Sequence, residues 1–193
     1  MKTFALTAAL GVSALALGAC AEVDPAPAAD GEMVVATDPI TAAEVEAAQT
    51  AWGEGIVAIG QAYTDEGDYR AAAADHISKF YNYADGETLL FKPTLAAEDQ
   101  FRESTDEALS YFVGTEGTED GGFAIAPYTA VRWENNGTII SDAGDMAVAM
   151  GNYFFRGTDG TDTKVEYSFA YEKDDNGELK IVLHHSSLPF DPS

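Results

Sequence analysis

The chain predicts an α+β domain in which N-terminal helices pack on one curved antiparallel sheet. Three observations carry that expectation. Apolar residues recur at helical spacing between Thr41 and Val113, whereas strand-period alternation dominates from Phe123 onward. Turn signals of the Asn-Gly and Asp-Asn-Gly kind punctuate the second part. Helices collected first and strands collected afterwards give segregated layers rather than alternating βαβ units.

Taken in order, Thr41-Ala-Ala-Glu44 is a capping box, and Val45, Ala48, Trp52, Ile56 and Ile59 extend one helical face to about Tyr63. Gly67-Asp68 breaks and recaps the chain. A second helix follows over Tyr69–Tyr83, with Tyr69, Ala73, His76, Ile77 and Phe80 on one side. Asp85-Gly86 turns into a short strand, Thr88–Lys92, stopped by Pro93. Thr94 sits where an N-cap would sit, ahead of a short helix over Leu95–Phe101, and Thr105–Val113 is another helix. Strands are expected over Phe123–Asn135 and, beyond an Asn136-Gly137 turn, Thr138–Ser141. Asp145–Arg156 is almost wholly apolar, as in a strand covered on both faces. Thr163–Glu172 alternates with Val165, Tyr167, Phe169 and Tyr171 inward, and Leu179–Ser187 closes the sheet.

The N-terminus reads as an address. Met1-Lys2 precedes an apolar run, Phe4–Leu17, that is too short to span a bilayer, and small residues follow. Leu17-Gly18-Ala19-Cys20 resembles the lipobox of bacterial lipoproteins. That resemblance implies a signal peptide over 1–19, lipidation of Cys20, and, with no Asp after the cysteine, a periplasmic protein held on the outer membrane of a Gram-negative bacterium. Residues 20–38, rich in Ala, Pro and Asp, read as a flexible tether, leaving residues 39–193 for one domain with a proper core. The single cysteine excludes an internal disulfide. A formal charge of −23 excludes nucleic acid as a partner and leaves the lipid anchor as the membrane contact.

The last strand carries the chemistry. Simple alternation places Leu179, Ile181, Leu183, His185 and Ser187 on one face. Polar groups on an apolar face need partners, because burying them unpaired costs about 1–3 kcal/mol each. They are either tied off within the core or line a pocket that opens at the strand's end. Two imidazoles and two hydroxyls in four residues favour the pocket. His184 then points outward, toward a helix or a subunit contact.

The element order α-α-β-α-β-β-β-β resembles the cone-shaped NTF2-like fold. Six segments narrow the resemblance: Trp52–Gly60, Leu90–Thr94, Ala108–Gly114, Ala149–Phe155, Lys164–Tyr167 and His184–Pro189. Together they resemble the iota-class carbonic anhydrases, relatives of the calcium/calmodulin-dependent kinase II association domain, from about Thr41 to Phe190. The resemblance implies reversible hydration of carbon dioxide to bicarbonate, without a metal or other cofactor, and a homodimer. It also implies a site built from Thr94, Tyr111, His185 and Ser187, with His185 as the base and the hydroxyls as donors. Met146, Val148, Met150 and Phe154 are expected at the subunit interface.

Only three histidines exist, and His184 and His185, adjacent on a strand, point oppositely and cannot chelate one ion together. No His-Glu-x-x-His spacing occurs. Two other function classes stay open at this point. One is a non-catalytic module holding a small ligand, and the other is a purely assembling domain. The ligand of such a module would be small and apolar or acidic, and assembly alone calls for no polar pocket.

Overall fold

The computed structural model describes residues 38–83 and 89–192. The expected leader, Cys20, nearly all of the expected tether and the expected Asp85-Gly86 turn lie outside the described residues. Three helices and five strands are present: α1 (Ala42–Thr64), α2 (Tyr69–Phe80), β1 (Leu90–Lys92), α3 (Thr105–Val113), β2 (Ala130–Ile140), β3 (Met146–Arg156), β4 (Asp162–Lys173) and β5 (Leu179–Ser187). The sheet order is β1-β5-β4-β3-β2. Its pairings are antiparallel except at one edge, where β1 runs parallel to β5. The α+β class expected from the sequence is the one observed.

The capping box at α1 forms as read, with Thr41 accepting from the Glu44 N–H and Glu44 accepting from the Thr41 N–H. Val45, Trp52, Ile56 and Ile59 turn one face of α1 into the core. Trp52 is its centre, with its ring 5.7–6.4 Å from those of Trp133, Tyr153, Phe155 and Phe169 on the sheet. Burying one such aromatic contributes several kcal/mol, since Trp→Ala in a core costs about 3–5 kcal/mol. The inward residues of β4 are Val165, Tyr167, Phe169 and Tyr171, all buried, as the alternation predicts.

Five expectations are corrected, three of them because a distant partner takes over the backbone. Helix α2 stops at Phe80 rather than Tyr83, because Tyr81 turns extended and bridges to Ile181. The first strand is shorter than expected, Leu90–Lys92. Residues 95–101 form no helix. The N–H groups of Ala97, Glu98 and Asp99 donate to the Glu119 carboxylate instead, and Arg102 takes the carbonyls of Asp99 and Phe101. Asn136-Gly137 is not a hairpin turn but a bulge within one continuous strand, β2, whose register shifts between Asn135 and Gly137. Opposite it, Gly151 permits the close approach, because a Cβ there would overlap the Glu134 carbonyl oxygen. Upstream of that strand, residues 123–125 are a 3₁₀ turn rather than strand.

One buried group ties stability to pH. His76 of α2 packs against Trp52, Phe80 and Phe112, and neither ring nitrogen has a hydrogen-bond partner. Burial pulls its pKa down from 6.5 to about 3. The folded protein therefore keeps His76 neutral where the unfolded chain protonates it. Its contribution is complete above the unfolded value near 6.5 and is lost progressively as pH falls toward about 3. The slope from one proton is about 1.4 kcal/mol per pH unit. His76→Leu is expected to flatten the acid-side dependence of the urea unfolding free energy by about one proton. Parallel slopes for wild type and variant would show that His76 is not held neutral.

Candidate active site

The site begins with an irregularity in β5. Tyr171 pairs with Ile181 but Ala170 pairs with Leu183, so Val182 is an extra residue in the ladder. Because side chains alternate with a period of two, one inserted residue reverses the face of everything after it. Ile181 points into the core, and beyond the bulge it is His184 and Ser186 that face inward, both 3 % exposed. His185 is exposed and Ser187 half-buried. Their pairing partners agree: His184 sits opposite the buried Phe169 and Ser186 opposite the buried Tyr167, whereas His185 and Ser187 sit opposite Ser168 and Glu166. The expected strand phase, with His185 inward and His184 outward, is therefore reversed.

His184 and Ser186 line a cavity of about 80 Å³ together with Thr94 and Tyr111. Each polar group arrives from a different element. Thr94 follows β1, Tyr111 comes from α3, and the other two come from β5. The Thr94 hydroxyl donates to Ser186 Oγ at 2.8 Å. Tyr111 Oη accepts from the Leu95 N–H at 3.4 Å, so its own proton is free to donate elsewhere. Burial pushes the Tyr111 phenol up to about 12, which keeps it protonated at neutral pH. Tyr153 adds a further phenol, also raised by burial and opposed by hydrogen bonding from Ser186 and Thr94. Phe123, Phe155, Val165 and Leu188 supply the apolar wall.

His184 is held on three sides. Phe91 stacks on its ring at 4.6 Å, Phe169 lies 4.1 Å away, and Nδ1 is 2.9 Å from Tyr81 Oη. Burial draws its pKa well below the ordinary imidazole value, so the ring is neutral at physiological pH. The wall behind Tyr111 is charged. The Arg102 guanidinium, 2 % exposed, lies 5.7 Å from the Tyr111 ring and pairs with Asp120. A larger cleft of about 650 Å³ opens beside that pair, but its rim is crowded with carboxylates such as Glu98, Asp99 and Glu107. None of Thr94, Tyr111, His184 or Ser186 lines it. Among the described residues, no three His, Cys, Asp or Glu side chains are grouped to hold a metal ion.

Of the residues singled out from the sequence, Thr94 and Tyr111 thus meet at one cavity. Thr94 does so from a bend rather than as a helix cap. His185 and Ser187 lie across the sheet in an open groove beside Met150, Asn152 and Glu166, where Ser187 donates to Glu166 at 3.1 Å. Cys20 lies outside the described residues. Simple alternation missed His184, Ser186 and Tyr153. The signal for the first two was present, because three consecutive apolar residues, Ile181-Val182-Leu183, cannot all obey a period of two.

Comparison with known proteins converges on one family. Residues 43–188 match the family model of metal-independent carbonic anhydrases. A metal-independent carbonic anhydrase of Nostoc is 41 % identical over 157 residues, covering 79 % of this chain and 75 % of its own. The crystal structure of a cyanobacterial iota-carbonic anhydrase complexed with bicarbonate superposes with a TM-score of 0.75 at 39 % identity, covering 79 % of this chain and 94 % of that one. A calcium/calmodulin-dependent kinase II association-domain protein of Xanthomonas campestris shares the fold at 24 % identity, with a TM-score of 0.50 and coverage of 80 % and 96 %. With the matched region spanning the whole sheet and all but the first residue of the described helices, the chain belongs to the metal-independent carbonic anhydrase family.

Proposed function

We propose that this protein interconverts carbon dioxide and bicarbonate in the Thr94–Tyr111–His184–Ser186 cavity, without a metal. The observation that carries the reading is the cavity itself. At about 80 Å³ it is sized for a small molecule. Sites for drug-sized ligands occupy about 300–1,000 Å³, which disfavours a module for larger apolar ligands. The apolar wall suits an uncharged substrate, and the hydroxyls suit the oxygens on which charge develops. Donors fixed before the reaction stabilise such charge without reorganising. Hydroxyls of Thr94, Ser186 and Tyr111 and the imidazole of His184 form that set, in place of the expected His185 and Ser187.

The test is carbon dioxide hydration by the purified protein before and after exhaustive chelation. Undiminished activity is the expected result. Activity that disappears on chelation and returns with zinc, manganese or cobalt would refute the metal-free route. No activity in either condition would favour a non-catalytic binding or assembly domain.

Two further readings accompany it. A homodimer through the outer sheet face is supported by the exposure of Met146, Val148 and Met150 on β3 and of Ile139, the cross-strand partner of Val148. Light scattering at micromolar concentration decides it, and a monomer would rule it out. Attachment to the outer membrane through lipidated Cys20 rests on the lipobox pattern. Cys20→Ala should leave the membrane fraction or stay unprocessed, and a processed variant that stays membrane-bound would exclude the anchor.

A further inference from the structure

We infer that a buried relay from Trp52 through Tyr81 fixes His184 as the Nε2–H tautomer, making it a hydrogen-bond donor into the cavity, whereas the sequence suggests a base, at His185. The inference rests on the reading that the Thr94–Ser186 cavity is the reaction site. It adds two residues, Trp52 and Tyr81, that touch no substrate and act only by positioning His184.

The direction of the relay follows from which atoms can donate. An indole N–H donates and cannot accept. Trp52 Nε1 lies 3.0 Å from Tyr81 Oη, so it donates to that oxygen. Tyr81 is 3 % exposed, and its own proton needs an acceptor away from water. Among the described residues the group in place is His184 Nδ1, at 2.9 Å. A proton on Nδ1 would aim a second N–H at an oxygen already serving Trp52 and strand the Tyr81 proton in the core. Nδ1 therefore accepts, and in a neutral ring the proton resides on Nε2.

Nε2 is the edge left over. It is buried and has no hydrogen-bond partner among the described residues, and His184 is one of the residues that line the cavity. An orphaned donor beside hydroxyls is what a ligand oxygen satisfies. In the hydration direction that oxygen belongs to the attacking water or to the forming bicarbonate. In the reverse direction it belongs to bicarbonate itself. The three residues come from α1, from the bridge after α2, and from β5 beyond its bulge. The early end of α2 and the extra residue at Val182 both serve to bring them together.

The measurement is a two-bond proton–nitrogen spectrum of the full protein labelled with ¹⁵N-histidine, at neutral pH and without substrate. His185→Asn and His76→Leu remove the other two histidine signals in turn and so assign His184. We expect one protonated nitrogen at Nε2 and one bare nitrogen at Nδ1. Tyr81→Phe should move that pattern toward the Nδ1–H form or a mixture, and lower kcat by up to about 10²-fold, the scale of a misplaced catalytic group. Its KM should change much less. A wild-type ring protonated on Nδ1, or on both nitrogens, overturns the relay, and that spectrum decides even if Tyr81→Phe does not fold. A folded Tyr81→Phe protein with unchanged spectrum and kcat overturns it as well. The expected spectrum in a protein that fails to hydrate carbon dioxide would support the relay while refuting the activity.

Discussion

His184→Ala is expected to lower kcat for carbon dioxide hydration by about 10²–10³-fold, the range found when one preorganised donor is removed from a reacting oxygen. His185→Ala, compared at equal fraction folded, should stay within a few-fold of wild type. The contrast follows from the β5 bulge, which puts His184 in the cavity and His185 in the open groove behind the sheet. Removing the His184 ring also leaves Tyr81 Oη without its acceptor, so some loss of stability accompanies the loss of rate. Circular dichroism and the urea midpoint separate the two effects. If His185→Ala were the inactive protein and His184→Ala the active one, the site would have to be sought on the outer face. Ser186→Ala and Thr94→Ala should weaken bicarbonate binding and slow turnover, since their hydroxyls are already joined at 2.8 Å.

A large loss of stability is expected from Asp120→Ala, at about 3–5 kcal/mol, because it leaves the buried Arg102 guanidinium without its counter-charge. The side chains of this pair are 2 % and 5 % exposed, and their nitrogen and oxygen lie 2.5 Å apart. Its reach extends beyond two residues. Arg102 also binds the carbonyls of Asp99 and Phe101, its own N–H donates to Phe91, and its guanidinium lies over Tyr111. The loop that carries Thr94 is thus tied to the wall that carries Tyr111. Urea unfolding checks the energy, and turnover of the folded fraction checks the site. The double variant Arg102→Met with Asp120→Leu should recover much of the stability, because it removes both charges together. A loss under 1 kcal/mol for Asp120→Ala would mean that water reaches and solvates Arg102.

Most of the helices and three of the long strands were legible because their signals are local. A capping box, helical spacing from Val45 to Ile59, and clean alternation from Val165 to Tyr171 each involve residues a few positions apart. Where the reading failed, distant groups had taken over backbone partners. Glu119 holds three N–H groups of the loop expected to be helical, some twenty residues away in sequence. The Asn136-Gly137 pair carries a genuine turn composition, yet its neighbours continue to pair with β3 on both sides.

The sequence by itself determined the α+β class, the order of its elements, and a polar end to β5, where imidazoles and hydroxyls follow an apolar run. Only the tertiary structure decided which imidazole and which hydroxyl line the cavity beside Thr94 and Tyr111. Composition and period specify that one face of β5 is polar at its end, but a single unpaired residue at Val182 exchanges the two faces. Whether that residue is inserted depends on how β5 registers against β4, and so on Phe169, packed between Trp52 and Tyr171, rather than on β5 alone. Phase in a strand is a property of the pair, and the partner strand lies outside any local window.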